Sequence, residues 1–197
     1  TVSEYRTPAY ASTPVLLKDY ILNREMGSKD YAKDVAYVNR NTGEIEKETY
    51  VGHVDYRVGY APLAANEKYM VYPFSIHDIE TTPPIVQAFN HIICKDTKTG
   101  DQIRDVHVGQ TFAEPLLDDD KVFVGTRSGY VYCIDATKRD RVSNRIQVMA
   151  WPTNNPTTWE FKAGDAVNRK VAADAKHIYF GANDGSVYCL DKETGNL

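Results

Sequence analysis

The residues "KVFVGTRSGYVYCIDATKRD" (Lys121–Asp140) return 56 positions later as "HIYFGANDGSVYCLDKETGN" (His177–Asn196). Within them "SGYVYCID" and "DGSVYCLD" align without a gap. A chain that writes one unit twice is built from stacked copies, so this repeat constrains the fold more than any other feature does. Each copy runs from a small residue and a proline into an apolar strand, a charged turn and a second strand. A glycine-containing hairpin and a third strand follow, ending in Asp or Asn ahead of Thr-Gly. Two weaker copies stand upstream: "TPVLLKDYIL" (Thr13–Leu22) closed by "VAYVNRNTGE" (Val35–Glu44), and "APLAANEKYMVY" (Ala61–Tyr72) closed by "HIICKDTKTGD" (His91–Asp101). The strong copies begin at Glu114 and Lys170. Marked at Pro14, Pro62, Pro115 and Val171, the spacings are 48, 53 and 56, the period of a propeller blade rather than of a helical repeat.

Periodicity inside each copy agrees. "VFVG" and "YVYCID" are short apolar or alternating runs bounded by turn signals. The chain's 14 tyrosines, 6 phenylalanines and 2 tryptophans favour strands. "RSG" and "NDG" offer a hairpin the positive φ that glycine adopts cheaply. "RNTGE", "TKTGD" and "KETGN" mark the next hairpin, ahead of the fourth-strand segments "EKETYVG", "QIRDVHVG" and "TWEFKAG". No stretch carries a helical stripe, and "NREMGSKDYAKD" (Asn23–Asp34) reads as an extended loop. The opening "TVSEYRT" matches a fourth strand, and "KETGNL" ends where one should start. The expectation is therefore one all-β domain over 1–197, a β-propeller of four-stranded antiparallel blades at 8–56, 57–109, 110–164 and 165–197. Residues 1–7 would supply the closing strand, paired antiparallel with Ser186–Asp191, because an exposed edge of alternating apolar residues invites aggregation. A closed ring of four blades and an arc of a ring of roughly six to eight both remain open.

Bulk properties narrow the function classes. With 42% hydrophobic and 25% charged residues in 197, the chain is an ordinary globular sequence. A net charge of −4 argues against nucleic-acid binding, which calls for a basic patch. No apolar run approaches the roughly 18 residues of a membrane-spanning helix, so no direct membrane insertion is expected. No signal peptide opens the chain, and its first residue is threonine, which reads as a processed or excised piece.

At the level of "G-x-V-Y-C-L-D-K-E-T-G" the sequence resembles the pyrroloquinoline-quinone-like (PQQ-like) β-propeller repeats. That superfamily includes quinoprotein alcohol dehydrogenases, the lipoprotein of the outer-membrane barrel-assembly machine, and sensor domains of some membrane kinases. The resemblance implies the propeller fold and an extracytoplasmic location, whether periplasmic, secreted or at the cell surface; fold alone does not imply function. The sequence also departs from the family pattern. Dehydrogenase blades carry tryptophan four residues after the glycine, where Lys47 follows Gly43 and Arg104 follows Gly100; only "WEFKAG", with Trp159, looks like the family's fourth strand. The adjacent cysteines and the calcium set of the dehydrogenases are absent, so their catalytic residues carry over to no position here.

The chemically tempting residues have plain structural readings. Cys94, Cys133 and Cys189 share one third-strand position, occupied by Val38 in the first copy, so this is a small buried slot rather than a disulfide or metal framework. His53, His77, His91, His107 and His177 show no ligand spacing and read as surface or strand-end residues. His53 and His77, with Asp55 and Asp78, offer an alternative polar site. "LDDDK" (Leu117–Lys121) aligns with turns between first and second strands and lacks the spacing of a calcium loop. No phosphate loop or nucleophile elbow is present. Ring geometry directs the segments leading into the first strands ("AYASTP", "RVGYAP", "GQTFAEP" and "GDAVNRK") toward the central channel. The candidate ligand-binding residues there are Thr13, Tyr60, Gln110, Glu114, Asp165 and Arg169, a mixed ring that suits a polar ligand or water better than a flat quinone.

These observations lead to a non-catalytic propeller acting as a protein-interaction scaffold or ligand-sensing module, with no cofactor and no metal. Its partner surface would be the rim loops 23–34, 73–90 and 138–158. The alternative is a fragment of a PQQ-dependent quinoprotein dehydrogenase, an oxidoreductase using PQQ with calcium, whose catalytic residues and further blades lie outside this chain. A third reading, a cytoplasmic interaction propeller, draws on the unpaired cysteines.

Overall fold

The computed structural model describes residues 13–24, 33–50, 62–76, 89–111, 113–139 and 157–197. These residues form fifteen strands and no helix. Blade 1 contains β1 (Val15–Leu16), β2 (Tyr20–Arg24), β3 (Lys33–Asn39) and β4 (Ile45–Tyr50). Blade 2 contains β5 (Ala64–Ala65), β6 (Tyr69–Ile76), β7 (Phe89–Asp96) and β8 (Gln102–His107). Blade 3 contains β9 (Leu116–Asp118), β10 (Lys121–Gly125), β11 (Tyr130–Asp135) and β12 (Trp159–Lys162). Blade 4 contains β13 (Ala172–Ala173), β14 (His177–Gly181) and β15 (Val187–Asp191). Every sheet is an antiparallel meander in chain order.

Local chemistry sets the turns. In the hairpin that follows the third strand, the Asn39, Asp96 and Asp191 side-chain oxygens each accept two backbone N–H groups: from Asn41 and Thr42, Lys98 and Thr99, and Glu193 and Thr194. Such Asx turns are the reason the third strand ends in Asp or Asn. The next residue's N–H donates to the first-hairpin carbonyl in all four blades: Arg40 to Asp19, Thr97 to Lys68, Ala136 to Asp120 and Lys192 to Lys176, at 2.8–3.1 Å. Gly129 and Gly185, in "RSG" and "NDG", sit at φ 81° and 85° as expected. "LDDDK" is the β9–β10 turn, and its carboxylates reach neighbouring blades, Asp118 to Lys192 at 2.9 Å and Asp120 to Lys68 at 3.3 Å.

The blades pack face to face. Leu22, Val35, Tyr37, Met70 and Tyr72 join blades 1 and 2; Val71, Ile92, Cys94, Val122, Val124 and Ile134 join blades 2 and 3. Phe123, Val131, Cys133, Ile178, Phe180 and Leu190 join blades 3 and 4. Each strand alternates its side chains between two faces, so one blade contributes to two such layers. A polar tie accompanies each layer. Trp159 Nε1 donates to the Lys192 carbonyl at 3.1 Å, Arg104 to the Asp135 carbonyl at 2.5 Å and Lys47 Nζ to the Lys98 carbonyl at 2.9 Å.

Three expectations need correction or restriction. The loops are shorter than read: Asn23 and Arg24 end β2, Lys33 and Asp34 open β3, Pro73–Ile76 belong to β6, and Phe89 and Asn90 belong to β7. Pro73 fits inside a strand because β5 pairs only with Met70 and Val71, leaving no described strand beyond on that side of β6. Cys94 and Cys133 are buried, but Cys189 is exposed, because β15 has no described neighbour beyond β14 and no described blade covers its far face. In blade 1 their place is taken by Tyr37 rather than Val38, since Tyr37 pairs with Leu22 as Cys133 pairs with Phe123 and Cys189 with Tyr179. Residues 1–7, expected to close blade 4, lie outside the described residues, as do 25–32, 77–88 and 140–156 of the rim loops.

Candidate functional site

The segments leading into β9 and β13 meet the tips of the second hairpins. Gln110 accepts the Arg127 N–H at its carbonyl (2.8 Å), while the Val167 N–H of blade 4 donates to the Thr126 carbonyl of blade 3 (2.9 Å). Thr111, buried, donates its hydroxyl to the Gly125 carbonyl at 2.6 Å. A carboxylate in this crowded setting needs a partner, and Glu114 pairs with Lys170 of the next blade. Asp165 turns back to accept the Ala166 N–H at 2.7 Å. Arg127 reaches the Gln110 side-chain oxygen at 3.5 Å. Gln110, Glu114, Asp165 and Arg169 thus lie on two adjoining segments, tied directly by the Glu114–Lys170 pair and through the hairpin tip at Thr126 and Arg127, which bonds Val167 on one side and Gln110 on the other. Thr13 is exposed ahead of β1, and Tyr60 lies outside the described residues.

A flat quinone with calcium needs aromatic walls and converging oxygen ligands. The described lead-in residues do not fit it. Glu114 is committed to Lys170 and Asp165 to its own backbone, and neither 113–115 nor 165–170 contains an aromatic residue. Among the described residues, no three His, Cys, Asp or Glu side chains converge to hold a metal ion. Burial pushes the Cys133 thiol up to about 11, which makes it an inert packing group.

Blade 2 contains a cluster that the sequence reading did not find. His91 and His107 stand opposite each other on β7 and β8, with ring centroids 5.4 Å apart in an edge-to-face arrangement. His91 Nδ1 lies 2.6 Å from Asp105 Oδ1. Burial, and then the neighbouring His91, lowers the His107 pKa. The signal available was distance from the Thr99-Gly100 hairpin, since antiparallel partners lie nearly equidistant from their turn. His53 and His77, with Asp55 and Asp78, lie outside the described residues.

Residues 91–197, which are 107 of 197 and more than half of the chain, match the family described as outer membrane protein assembly factor BamB. BamB from Moraxella catarrhalis superposes with a TM-score of 0.60 at 18% identity, covering 93% of this chain and 46% of its own. The computationally designed Ika4 protein matches with a TM-score of 0.60 at 11% identity, over 97% of this chain and 95% of its own. The quinohemoprotein alcohol dehydrogenase ADHIIG from Pseudomonas putida HK5 matches with a TM-score of 0.57 at 14% identity, over 94% of this chain and 33% of its own. The chain thus spans less than half the length of that BamB and a third of that dehydrogenase. No curated protein sequence matches significantly. With four antiparallel blades of one repeat and the family match over its second half, the chain belongs to the BamB-like family of PQQ-like β-propeller proteins.

Proposed function

We propose that this chain is a non-catalytic propeller element that works outside the cytoplasm as a scaffold for protein assembly. The observation that carries this reading is the match of residues 91–197 to a family described as an outer membrane protein assembly factor. The lead-in segments agree with it, since Glu114 and Asp165 are spent on structural contacts. The segments 25–32, 77–88 and 138–158, which connect β2 to β3, β6 to β7 and β11 to β12, are the proposed partner surface. Of the channel residues read from the sequence, Thr13, Tyr60, Gln110 and Arg169 are the proposed contacts of a polar ligand or of channel water, with Glu114 and Asp165 framing them through Lys170 and Ala166. The rival is a piece of a quinoprotein dehydrogenase, favoured by the likeness to ADHIIG over 94% of this chain. Incubating the purified chain with PQQ, calcium, a primary alcohol and a dye acceptor separates the two. The scaffold reading expects dye reduction no faster than without protein, together with saturable binding of an unfolded outer-membrane β-barrel protein. Quinone-dependent turnover abolished by a chelator replaces it with the dehydrogenase reading.

A further inference from the structure

The outer strand pairs of blades 2 and 3 put the same three places to different chemistry. In blade 3, Tyr130 pairs with Lys162 across β11 and β12, and the Lys162 ammonium stands 5.1 Å from the centre of the Tyr130 ring. Glu160, two residues before Lys162, shares that face of the sheet. In blade 2 these places hold His91, His107 and Asp105: His91 stands before Cys94 as Tyr130 stands before Cys133, and His107 follows Arg104 as Lys162 follows Trp159. A lysine is a cation throughout the range in which histidine titrates. Blade 3 therefore sets a fixed charge on an aromatic face, where blade 2 sets two imidazoles edge to face.

The charge around the imidazole pair is one-sided. Among the described residues, the charges that act on His107 are those of His91 and Asp105, and only Asp105 favours a proton there. Asp105 is already engaged by His91 Nδ1 at 2.6 Å. On β6, Phe74 and Tyr72 stand opposite His91 and Ile93 and bring no charge near neutral pH. Lys95, four residues on from His91 along β7, is a cation lying 5.7 Å from the centre of the Tyr72 ring. In blade 1, Arg24 closes β2 and Lys33 opens β3 at the corresponding end of the repeat. Lys47 lies against the Gly100 turn, at the other end of β8. All three are cations. Arg104 is turned to the opposite face, toward the Asp135 carbonyl of blade 3. β8 itself is the outermost strand of its sheet, with no described strand beyond it.

We propose that His91 and His107 form a proton-operated catch on the edge of blade 2: neutral, the two rings hold the end of β8 on β7, and a proton on His107 releases it. A proton taken up in place adds a cation to a half-buried site whose one opposing carboxylate is shared with His91. Opening the end of β8 returns the ring to water, where the charge is solvated. A histidine whose folded pKa is lowered by burial contributes stability in full above the ordinary value of 6.5 and loses it as pH falls below. The Tyr130–Lys162 pair has no such dependence, so the two blades part company in mild acid.

Hydrogen exchange of the 197-residue chain, read by mass spectrometry at about pH 7.5 and about pH 5.5, tests this through local opening. The measure is the exchange rate of the β8 peptide in the parent divided by that in His107→Phe at the same pH, which cancels the intrinsic pH dependence. That ratio should rise several-fold from the higher pH to the lower, with a ceiling of about tenfold one unit below the ordinary value. The β12 peptide should show no rise. Asp105→Asn removes the one opposing charge and should open β8 further in acid than the parent does. His107→Gln should behave as His107→Phe does, and it replaces that variant if the larger ring disturbs folding. A β8 ratio that stays level between the two pH values, or an acid response shared equally by β8 and β12, overturns the proposal.

Discussion

The joint between blades 3 and 4 and the joint between blades 1 and 2 follow one plan with different side chains. In the former, the Trp159 indole lies on Gly195, where a Cβ would come within 2.6 Å of the ring, and its N–H reaches the Lys192 carbonyl. In the latter, Lys47 and Thr49 lie against Gly100, where a Cβ would come within 2.7 Å of Thr49 Cγ2, and the Lys47 ammonium reaches the Lys98 carbonyl. The Lys47 ammonium also stands 4.8 Å from the centre of the Tyr37 ring, whose hydroxyl donates to the Thr97 carbonyl at 2.8 Å. What this position demands is an N–H donor on a stem long enough to reach the next blade's turn. Tryptophan meets the demand while burying a large apolar surface. Lysine meets it with a half-exposed cation and leaves the apolar work to Tyr37. The first joint should therefore tolerate loss of its donor better than the last one does.

The largest effect is expected from Trp159→Ala. Removing a well-buried indole costs about 3–5 kcal/mol, read as a lower urea midpoint. Trp159→Phe retains most of the bulk and isolates the hydrogen bond, at about 1 kcal/mol. A loss at Trp159→Ala no greater than that at Lys47→Ala would break the comparison.

Arg104 serves the middle joint and is fully buried. Arg104→Ala removes both its packing and its bond to the Asp135 carbonyl, and about 2–4 kcal/mol is expected from large-to-small substitution in a core. Arg104→Trp sharpens the point, since a buried charge exchanged for a well-packed apolar group is often neutral or stabilising. Denaturation of both variants measures whether the joint needs the charge or only the reach.

Lys47→Ala is expected to cost less, about 0.5–1 kcal/mol, as for an exposed cation–π contact with one polar tie. Burial lowers the Lys47 pKa, against the pull of Asp101 and Asp96. A group lowered in this way disfavours the charged folded form, so neutralising it recovers part of the loss. Lys47→Gln should therefore fall between Lys47→Ala and the parent in a thermal melt.

The smallest effect concerns the turns that these joints grip. The Asp191 carboxyl is held below the usual carboxylate range by the Thr194 N–H, and next by the Thr194 hydroxyl. Because its folded pKa is depressed, its contribution is present in full above about pH 4 and is lost as pH falls through the folded value. Asn39, at the same place in blade 1, does not titrate. Asp191→Asn should flatten the acid limb of Tm against pH, and exchange of the Gly195 amide should quicken in acid while that of Gly43 does not. Equal acid response at both amides would remove the distinction.

Much of this protein was legible before any coordinates. The Asp or Asn that ends each third strand caps a turn within three residues of itself, and the hairpin glycines answer a backbone demand inside their own four residues. Interactions that close over so few positions are written in the order of the residues, and the 48–56-residue period follows from repeating them. The lead-in segments were legible as a shared end for the same reason, since each stands at a constant offset from its first strand. Their partners were not, because Glu114 meets Lys170 across 56 residues and Gln110 meets Arg127 across a hairpin. Lys47, Arg104 and Trp159 were legible as one fourth-strand place, but their common role as donors to the next blade's turn was not. A motif names a side chain, whereas a joint needs a donor at the right reach; Lys47 and Trp159 make it over a bare glycine, while the turn that Arg104 grips has Arg139 in that place. The His91–Asp105–His107 cluster depends on pairing across β7 and β8, whose register shifts between Cys94 and Lys95. Cys189, alike in sequence to two buried cysteines, is exposed because burial of a blade face comes from the next blade and not from the strand that carries it. Sequence by itself determined the blade, its turns and its repetition, through contacts each repeat makes with itself. Only the tertiary structure decided which faces are covered and which donors bridge the joints, because those contacts are made between repeats.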